Sequence, residues 1–170
     1  AVGYNHPDIV AQRDRLVISA QNKPTLSDIY NVYYAEFLDT FSKTAIPDYL
    51  PHTFFIEGGA LAVENALKVA FDWKVRKNMS NGKGEKGSKI IHFKQAFHGR
   101  SGYTLSLTNT TDPRKTMYFP KFNWPKITNP KMNFPQDQDA IKEVFKKEQV
   151  AIKEIKDSIR NNLNKIACLI

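Results

Sequence analysis

The stretch TFFIEGGALAVENALK, residues 53–68, combines an apolar run, a glycine pair and a helical pattern. The run from Phe54 to Ile56 predicts a short buried strand, and the apolar residues after Gly59 recur at helical spacings. Glycines let the backbone turn sharply and approach a ligand, and the N–H groups at the start of the following helix favour an anion. The glycine turn and the helix start are therefore typical of an anion site such as one for phosphate, with a plain turn as the alternative.

A second informative stretch, FHGRSGYT, covers residues 97–104. It follows the apolar run Lys89–Phe93, which predicts a strand of a sheet that is covered on both faces. An aromatic ring such as Phe97 can lie flat against a heterocycle, and Arg100 can bind a carboxylate through two parallel hydrogen bonds. A loop with a packed phenylalanine and an exposed arginine is the alternative. With the phosphate segment upstream, the pair of stretches is more specific than either alone.

Both stretches resemble the class III, pyridoxal-phosphate-dependent aminotransferases. The resemblance covers essentially all 170 residues and is strongest over 54–68, 97–110 and 119–125. It implies the large domain of fold-type I, an α/β fold with a mostly parallel sheet and helices on both faces. The alternation of predicted strands and helices favours the same architecture. Residues 1–24 are then expected to end an N-terminal segment, and residues 25–170 to form the first part of the cofactor-binding large domain.

The resemblance also implies roles for individual residues. The backbone amides of Gly59 and Ala60 are expected to hold the phosphate of pyridoxal 5'-phosphate. Phe97 is expected to stack on the pyridine ring, with His98 beside it supporting the loop. Arg100 is expected to bind the carboxylate of the substrate.

The same family needs a lysine that forms a Schiff base with the cofactor and an aspartate that pairs with the pyridine nitrogen. No lysine of this chain stands in the matching context, so we assign no catalytic residue within residues 1–170. The Schiff-base lysine is expected beyond Ile170. The chain is accordingly expected to be an N-terminal-side fragment of a longer enzyme, inactive by itself.

The implied reaction moves the ε-amino group of L-lysine to 2-oxoglutarate by ping-pong transamination in a homodimer. Its products are 2-aminoadipate 6-semialdehyde and glutamate. Ornithine or 4-aminobutyrate as the amino donor remains an alternative, because such enzymes share the same cofactor motifs. A fragment that binds a phosphate ligand without catalysis is a further alternative.

Composition bears on partners and location. The chain contains no run of eighteen apolar residues, so no membrane span is expected. The net charge of +8 permits nucleic-acid binding, but the lysines after residue 138 alternate with acidic residues, which is typical of a solvated helix face. We therefore expect no nucleic-acid partner. The single cysteine, Cys168, fits a reducing cytoplasm and a small buried hydrophobe, and no metal site is expected.

The rest of the pattern predicts further elements. Helices are expected over 8–20, 25–45 and 138–163, with an N-cap for the second at Ser27 and Asp28. Strands are expected over 103–108 and 166–170, and loops over 80–88 and 109–135.

Overall fold

The structure is a computed structural model that describes residues 2–22 and 30–170. The chain divides into two compact units, Ala1–Phe54 and Phe55–Ile170. The predicted boundary at residues 24 and 25 lies outside the described residues and stays a prediction. None of the described helices is long and apolar enough to cross a membrane.

The described part of the first unit is helical. It contains α1 (Pro7–Ala11), α2 (Arg13–Gln21) and α3 (Val32–Thr44), so the helix predicted over 8–20 is two helices that meet at Gln12. The third helix begins at Val32 because Asn31 caps it, accepting a hydrogen bond from the backbone N–H of Tyr34 at 2.8 Å. The N-cap predicted at Ser27 and Asp28 lies outside the described residues.

The second unit is an α/β arrangement, as predicted, with three parallel strands: β1 (Lys89–Phe93), β2 (Lys126–Ile127) and β3 (Ile166–Leu169). Their order in the sheet is β2-β1-β3. The central strand is buried on both faces, since Ile90, Ile91 and His92 alternate in direction and are each at most 1% exposed. The helices of the second unit are α4 (Gly59–Ser80) before β1, α5 (Gly102–Leu107) and a 3₁₀ turn (Pro113–Lys115) between β1 and β2, and α6 (Gln138–Asn161) between β2 and β3.

The core of this unit joins α4, β1 and α5. Leu67, Ile90, Leu107 and Trp124 form one buried cluster, and burial of each such side chain stabilises the fold by roughly 1.5–3 kcal/mol. The indole of Trp124 also donates to the backbone carbonyl of Ser88 at 3.0 Å. This cluster fixes the positions of α4 and α5 against β1, and these helices carry parts of the stretches 53–68 and 97–104.

Two predicted strands are wrong. Residues Phe54–Ile56 lie outside any strand of the described residues, and Phe54 is 68% exposed. A strand is stable only where a neighbour takes its backbone hydrogen bonds, and the described sheet does not reach this segment.

The strand predicted over 103–108 is the helix α5. Its alternation misled because polar residues are buried as deeply as an apolar one: Thr104, Ser106 and Thr108 are each at most 2% exposed, as is Leu107 in the core. A reciprocal cap between Ser101 and Thr104 starts the helix. The short strand β2 was also missed inside the predicted loop 109–135, whereas β1, α4, α6 and β3 lie where the pattern predicted them.

Candidate functional site

The start of α4, residues 58–61, which we call the cradle, is an open backbone turn. Gly58 has φ +85°, and a Cβ atom on Gly58 or Gly59 would meet nothing within 4 Å. No side chain caps the helix, and the first intrahelical hydrogen bond runs from Ala62 N to Gly58 O at 3.1 Å. The N–H groups of residues 59–61 precede that bond, so they lack an intrahelical acceptor.

The cradle suits a phosphate group. It lies at the positive end of a helix of 22 residues, where an anion is stabilised by the aligned peptide dipoles. The space around the two glycines leaves room for a ligand close to the backbone.

Residues 97–101, which we call the aromatic loop, present the second set of predicted residues. Phe97 is 60% exposed, and the guanidinium carbon of Arg100 lies 5.8 Å from the centre of its ring. His98 is half-buried, its Nε2 atom is buried without a hydrogen-bond partner among the described residues, and burial lowers its pKa. A neutral imidazole beside Phe97 suits a supporting residue, since it adds no charge to the loop.

The cradle and the aromatic loop are in contact. Gly99 is buried with φ +125°, and a Cβ atom at this position would lie 2.6 Å from the Cβ atom of Ala60 and 2.8 Å from Oγ1 of Thr104. The structure thus brings Ala60 together with the loop that carries Phe97 and Arg100. Two stretches that are distant in sequence are therefore adjacent in the fold.

Sequence reasoning missed the residues that hold this arrangement. Thr108 accepts a hydrogen bond from His98 N at 3.1 Å and donates one to Gly99 O at 2.6 Å. Glu64 is a buried acid on α4, between the apolar Val63 and Leu67. The one feature of the sequence that could have indicated a role for Glu64 was an acid within an apolar helix face, because a buried carboxylate needs specific hydrogen-bond partners.

A buried histidine on β1 contacts Asn109, two residues after the end of α5. His92 is fully buried, its Nδ1 is 3.0 Å from Nδ2 of Asn109, and its Nε2 has no hydrogen-bond partner among the described residues. Burial, assisted by the nearby positive charge of Lys126, lowers the pKa of His92 to about 4. Asn109 also donates to the carbonyl of Leu107 at 2.9 Å, so this contact ties the end of α5 to the sheet.

Metal-ligating side chains and the cysteine were also expected to have no role in the site. Within residues 2–22 and 30–170, no group of three or more His, Cys, Asp or Glu side chains is arranged to hold a metal ion. Cys168 is half-buried against the core, and burial raises the pKa of its thiol. It therefore behaves as a small core residue.

Comparison with known proteins gives a consistent result. Residues 1–170 match the family model described as aminotransferase class-III. Over its whole length the chain is 45% identical to the L-lysine-epsilon aminotransferase of Mycobacterium tuberculosis, of which it covers 38%. It is 30% identical to the 4-aminobutyrate aminotransferase of Mycosarcoma maydis, with 94% of this chain and 34% of that protein aligned.

A solved structure agrees with the sequence comparison. The lysine aminotransferase from M. tuberculosis superposes with a TM-score of 0.89 at 46% identity, over 98% of this chain and 38% of that chain. The chain therefore spans well under half the length of the relatives that it matches.

Proposed function

The chain belongs to the class III aminotransferase family, and from this premise we propose that the protein carrying it transfers the ε-amino group of L-lysine to 2-oxoglutarate. The products are 2-aminoadipate 6-semialdehyde and glutamate, and the cofactor is pyridoxal 5'-phosphate. The choice of donor is supported by the 45% identity to the L-lysine-epsilon aminotransferase of M. tuberculosis. The structural observation that supports the cofactor site is the contact of Gly99 with Ala60, because it brings an uncapped helix start against the loop that carries an exposed aromatic ring and an arginine.

The cradle is proposed to bind the cofactor phosphate through the N–H groups of Gly59 and Ala60. These groups precede the first intrahelical hydrogen bond, and the positive end of α4 favours the phosphate charge. When bound, pyridoxal phosphate supplies an electron sink for chemistry at the amino-bearing carbon. We assign no proton-transferring residue within residues 1–170.

The aromatic loop is proposed to bind the ring and the substrate. The exposed face of Phe97 is available for stacking, and His98 supports it from within the loop. Among the described residues, Arg100 forms no ion pair with an aspartate or glutamate. Its contact with the Phe97 ring is worth only about 0.5–1 kcal/mol at an exposed site, so a substrate carboxylate can displace it.

The proposal includes a homodimer and a cytoplasmic location, both implied by the family. Large apolar side chains on the described surface, among them Phe134 at 82% exposure, are consistent with burial in an assembly. Sedimentation of the full-length gene product checks the dimer, and a monomer at micromolar concentration would contradict it.

The central experiment measures glutamate formation from 2-oxoglutarate by the full-length gene product with pyridoxal phosphate. L-lysine, L-ornithine and 4-aminobutyrate are compared as donors at equal concentration. We expect the highest kcat/KM with L-lysine, and formation of the 6-semialdehyde. A higher value with ornithine or 4-aminobutyrate would reassign the donor, and cofactor binding without any turnover would favour the phosphate-binding alternative.

Two variants test the assigned residues. Arg100→Lys loses the planar, two-point contact, so the KM for a carboxylate substrate should rise, whereas Arg76→Lys on the exposed side of α4 should leave it unchanged. Unchanged KM values for both lysine and 2-oxoglutarate in Arg100→Lys would remove Arg100 from the site.

Phe97→Ala should weaken cofactor retention and shift the cofactor absorbance, because the stacking area is lost. The matched control is Phe145→Ala on α6, since both rings are 60% exposed. A parental spectrum and affinity in Phe97→Ala would contradict the stacking role.

A further inference from the structure

The carboxylate of Glu64 is buried, with 9% of the residue exposed, on the helix whose start forms the cradle. It lies four residues after Ala60, so both side chains lie on one face of α4. A carboxylate taken out of water is costly unless charge-assisted hydrogen bonds compensate it. The partners of Glu64 therefore indicate what this residue does.

Two of those partners are backbone groups at the start of α5, and the third is Ser101, which caps this helix and is the last residue of the aromatic loop. Oε1 of Glu64 accepts hydrogen bonds from the hydroxyl of Ser101 at 2.7 Å, from Tyr103 N at 2.7 Å and from Thr104 N at 3.2 Å. The two backbone groups lie in the first turn of α5, where N–H groups have no intrahelical acceptor and a negative charge is stabilising. Glu64 thus joins the start of α5 to the body of α4.

The helix α5 in turn holds the aromatic loop. Oγ1 of Thr104 accepts from Ser101 N at 3.0 Å, and Oγ1 of Thr108 bonds both His98 N and Gly99 O. The two threonines are four residues apart and so lie on one side of the helix. A displacement of α5 would therefore move the backbone that carries Phe97 and Arg100.

The contact between loop and cradle leaves little room for such a displacement. Gly99 already lies against Ala60 so closely that even a Cβ atom would not fit between them. We propose that Glu64 is a positioning residue, which acts through α5 to keep the aromatic loop in register with the cradle. This inference rests on the proposed function, because the register matters only to a ligand that contacts both parts.

The ligand that needs this register is pyridoxal phosphate, whose phosphate and ring are covalently joined. Two weak contacts made by one molecule reinforce each other only if their spacing is fixed, as with any bivalent ligand. Loss of the register should therefore weaken binding of the joined ligand while the phosphate contact by itself persists.

The test uses the full-length gene product in its cofactor-free form, with the variants Glu64→Ala, Glu64→Gln and Glu64→Asp. The control is Asp72→Asn, which removes an exposed carboxylate from the same helix. Dissociation constants are measured for pyridoxal phosphate and for inorganic phosphate. We expect Glu64→Ala to lose at least about tenfold in affinity for pyridoxal phosphate and to stay within about twofold for inorganic phosphate.

The two conservative variants distinguish the length of the Glu64 side chain from its negative charge. Glutamine keeps an acceptor at the same distance, whereas aspartate is shorter by one methylene group and cannot reach α5 without movement of the helix. A positioning role predicts that Glu64→Gln stays within about threefold of the parent, while Glu64→Asp approaches the loss seen in Glu64→Ala. Parental affinity in Glu64→Asp together with a large loss in Glu64→Gln would overturn the proposal, because the charge would then be what matters.

Hydrogen exchange of the cofactor-free protein distinguishes this inference from the proposed function. Faster exchange of residues 97–101 in Glu64→Asp, with unchanged exchange in Asp72→Asn, supports positioning by Glu64 even if the parent binds no pyridoxal phosphate. Failure of the parent to bind the cofactor would reject the proposed function alone. Unchanged exchange over 97–101 in both Glu64→Ala and Glu64→Asp, or equal losses of affinity for phosphate and pyridoxal phosphate, would overturn the role of Glu64.

Discussion

The cradle and the aromatic loop lie side by side, but different forces give them their shapes. The cradle is the bare start of a long helix, and its glycines Gly58 and Gly59 have no neighbours within 4 Å of a Cβ position. The aromatic loop is held by hydrogen bonds from side chains of other segments. Thr108 bonds the backbone of His98 and Gly99 directly, and Glu64 bonds the start of α5. One part of the site is thus determined locally and the other by long-range contacts, so the two should respond differently to substitution.

The largest effect is expected for Gly99→Ala. The new Cβ atom would lie 2.6 Å from that of Ala60, and φ +125° is strained for any residue with a side chain. Strain and overpacking together should lower the free energy of unfolding by about 4 kcal/mol. Chemical denaturation of the full-length gene product measures this loss.

The matched control for that variant is Gly84→Ala, at φ +76° with nothing within 4 Å. It carries backbone strain without the clash and should lose about 1 kcal/mol. Equal losses at Gly84 and Gly99 would mean that the loop does not press on the cradle.

Acid should loosen the support of the aromatic loop, while the cradle contains no ionisable side chain. The pKa of His92 is about 4 in the folded protein, against 6.5 for an ordinary histidine, so the unfolded chain binds more protons between these values. The contribution of His92 to the free energy of unfolding is therefore fully present above pH 6.5. It is lost progressively as the pH falls toward 4, by about 3 kcal/mol in all. Denaturation midpoints between pH 4 and 7 measure the slope.

The variant His92→Gln should flatten that slope, and His52→Gln at an exposed position should leave it unchanged. If His92→Gln kept the parental slope, another group would be responsible for the acid sensitivity.

A moderate effect is expected for Thr108→Val, which preserves shape but removes both hydroxyl contacts with His98 N and Gly99 O. Leaving two buried backbone groups without their partner should cost about 2 kcal/mol. The control Thr110→Val removes an exposed hydroxyl contact and should cost less than about 0.5 kcal/mol. A Thr108→Val protein as stable as this control would show that water replaces the hydroxyl without loss.

The smallest effect is expected in the cradle, for Gly58→Ala. Its φ of +85° disfavours a side chain by about 1 kcal/mol, but the space around it is open, so nothing has to move. Denaturation of the same protein checks the value. A loss as large as that of Gly99→Ala would mean that packing, and not the helix alone, shapes the cradle.

The same difference explains what could be predicted from the sequence. The turn at Gly58, the helix after it and the strands at 89–93 and 166–169 depend on local pattern, and they are found where expected. The role of Glu64 depends on partners that begin 37 residues away, which no local pattern reveals. The threonines of α5 were misread as strand residues for a related reason: their hydroxyl groups are buried to serve the loop. The segment at 54–56 was misread because burial of a strand depends on its neighbours.

The order of the strands has a consequence for synthesis of the protein. The central strand β1 lies between β2 and β3, and Ile90 pairs with Cys168, so one neighbour of β1 is made only much later in the chain. Such distant pairing closes a long loop and is slow to form. During translation, the edge of β1 that pairs with β3 therefore stays unpaired until residue 169 has left the ribosome.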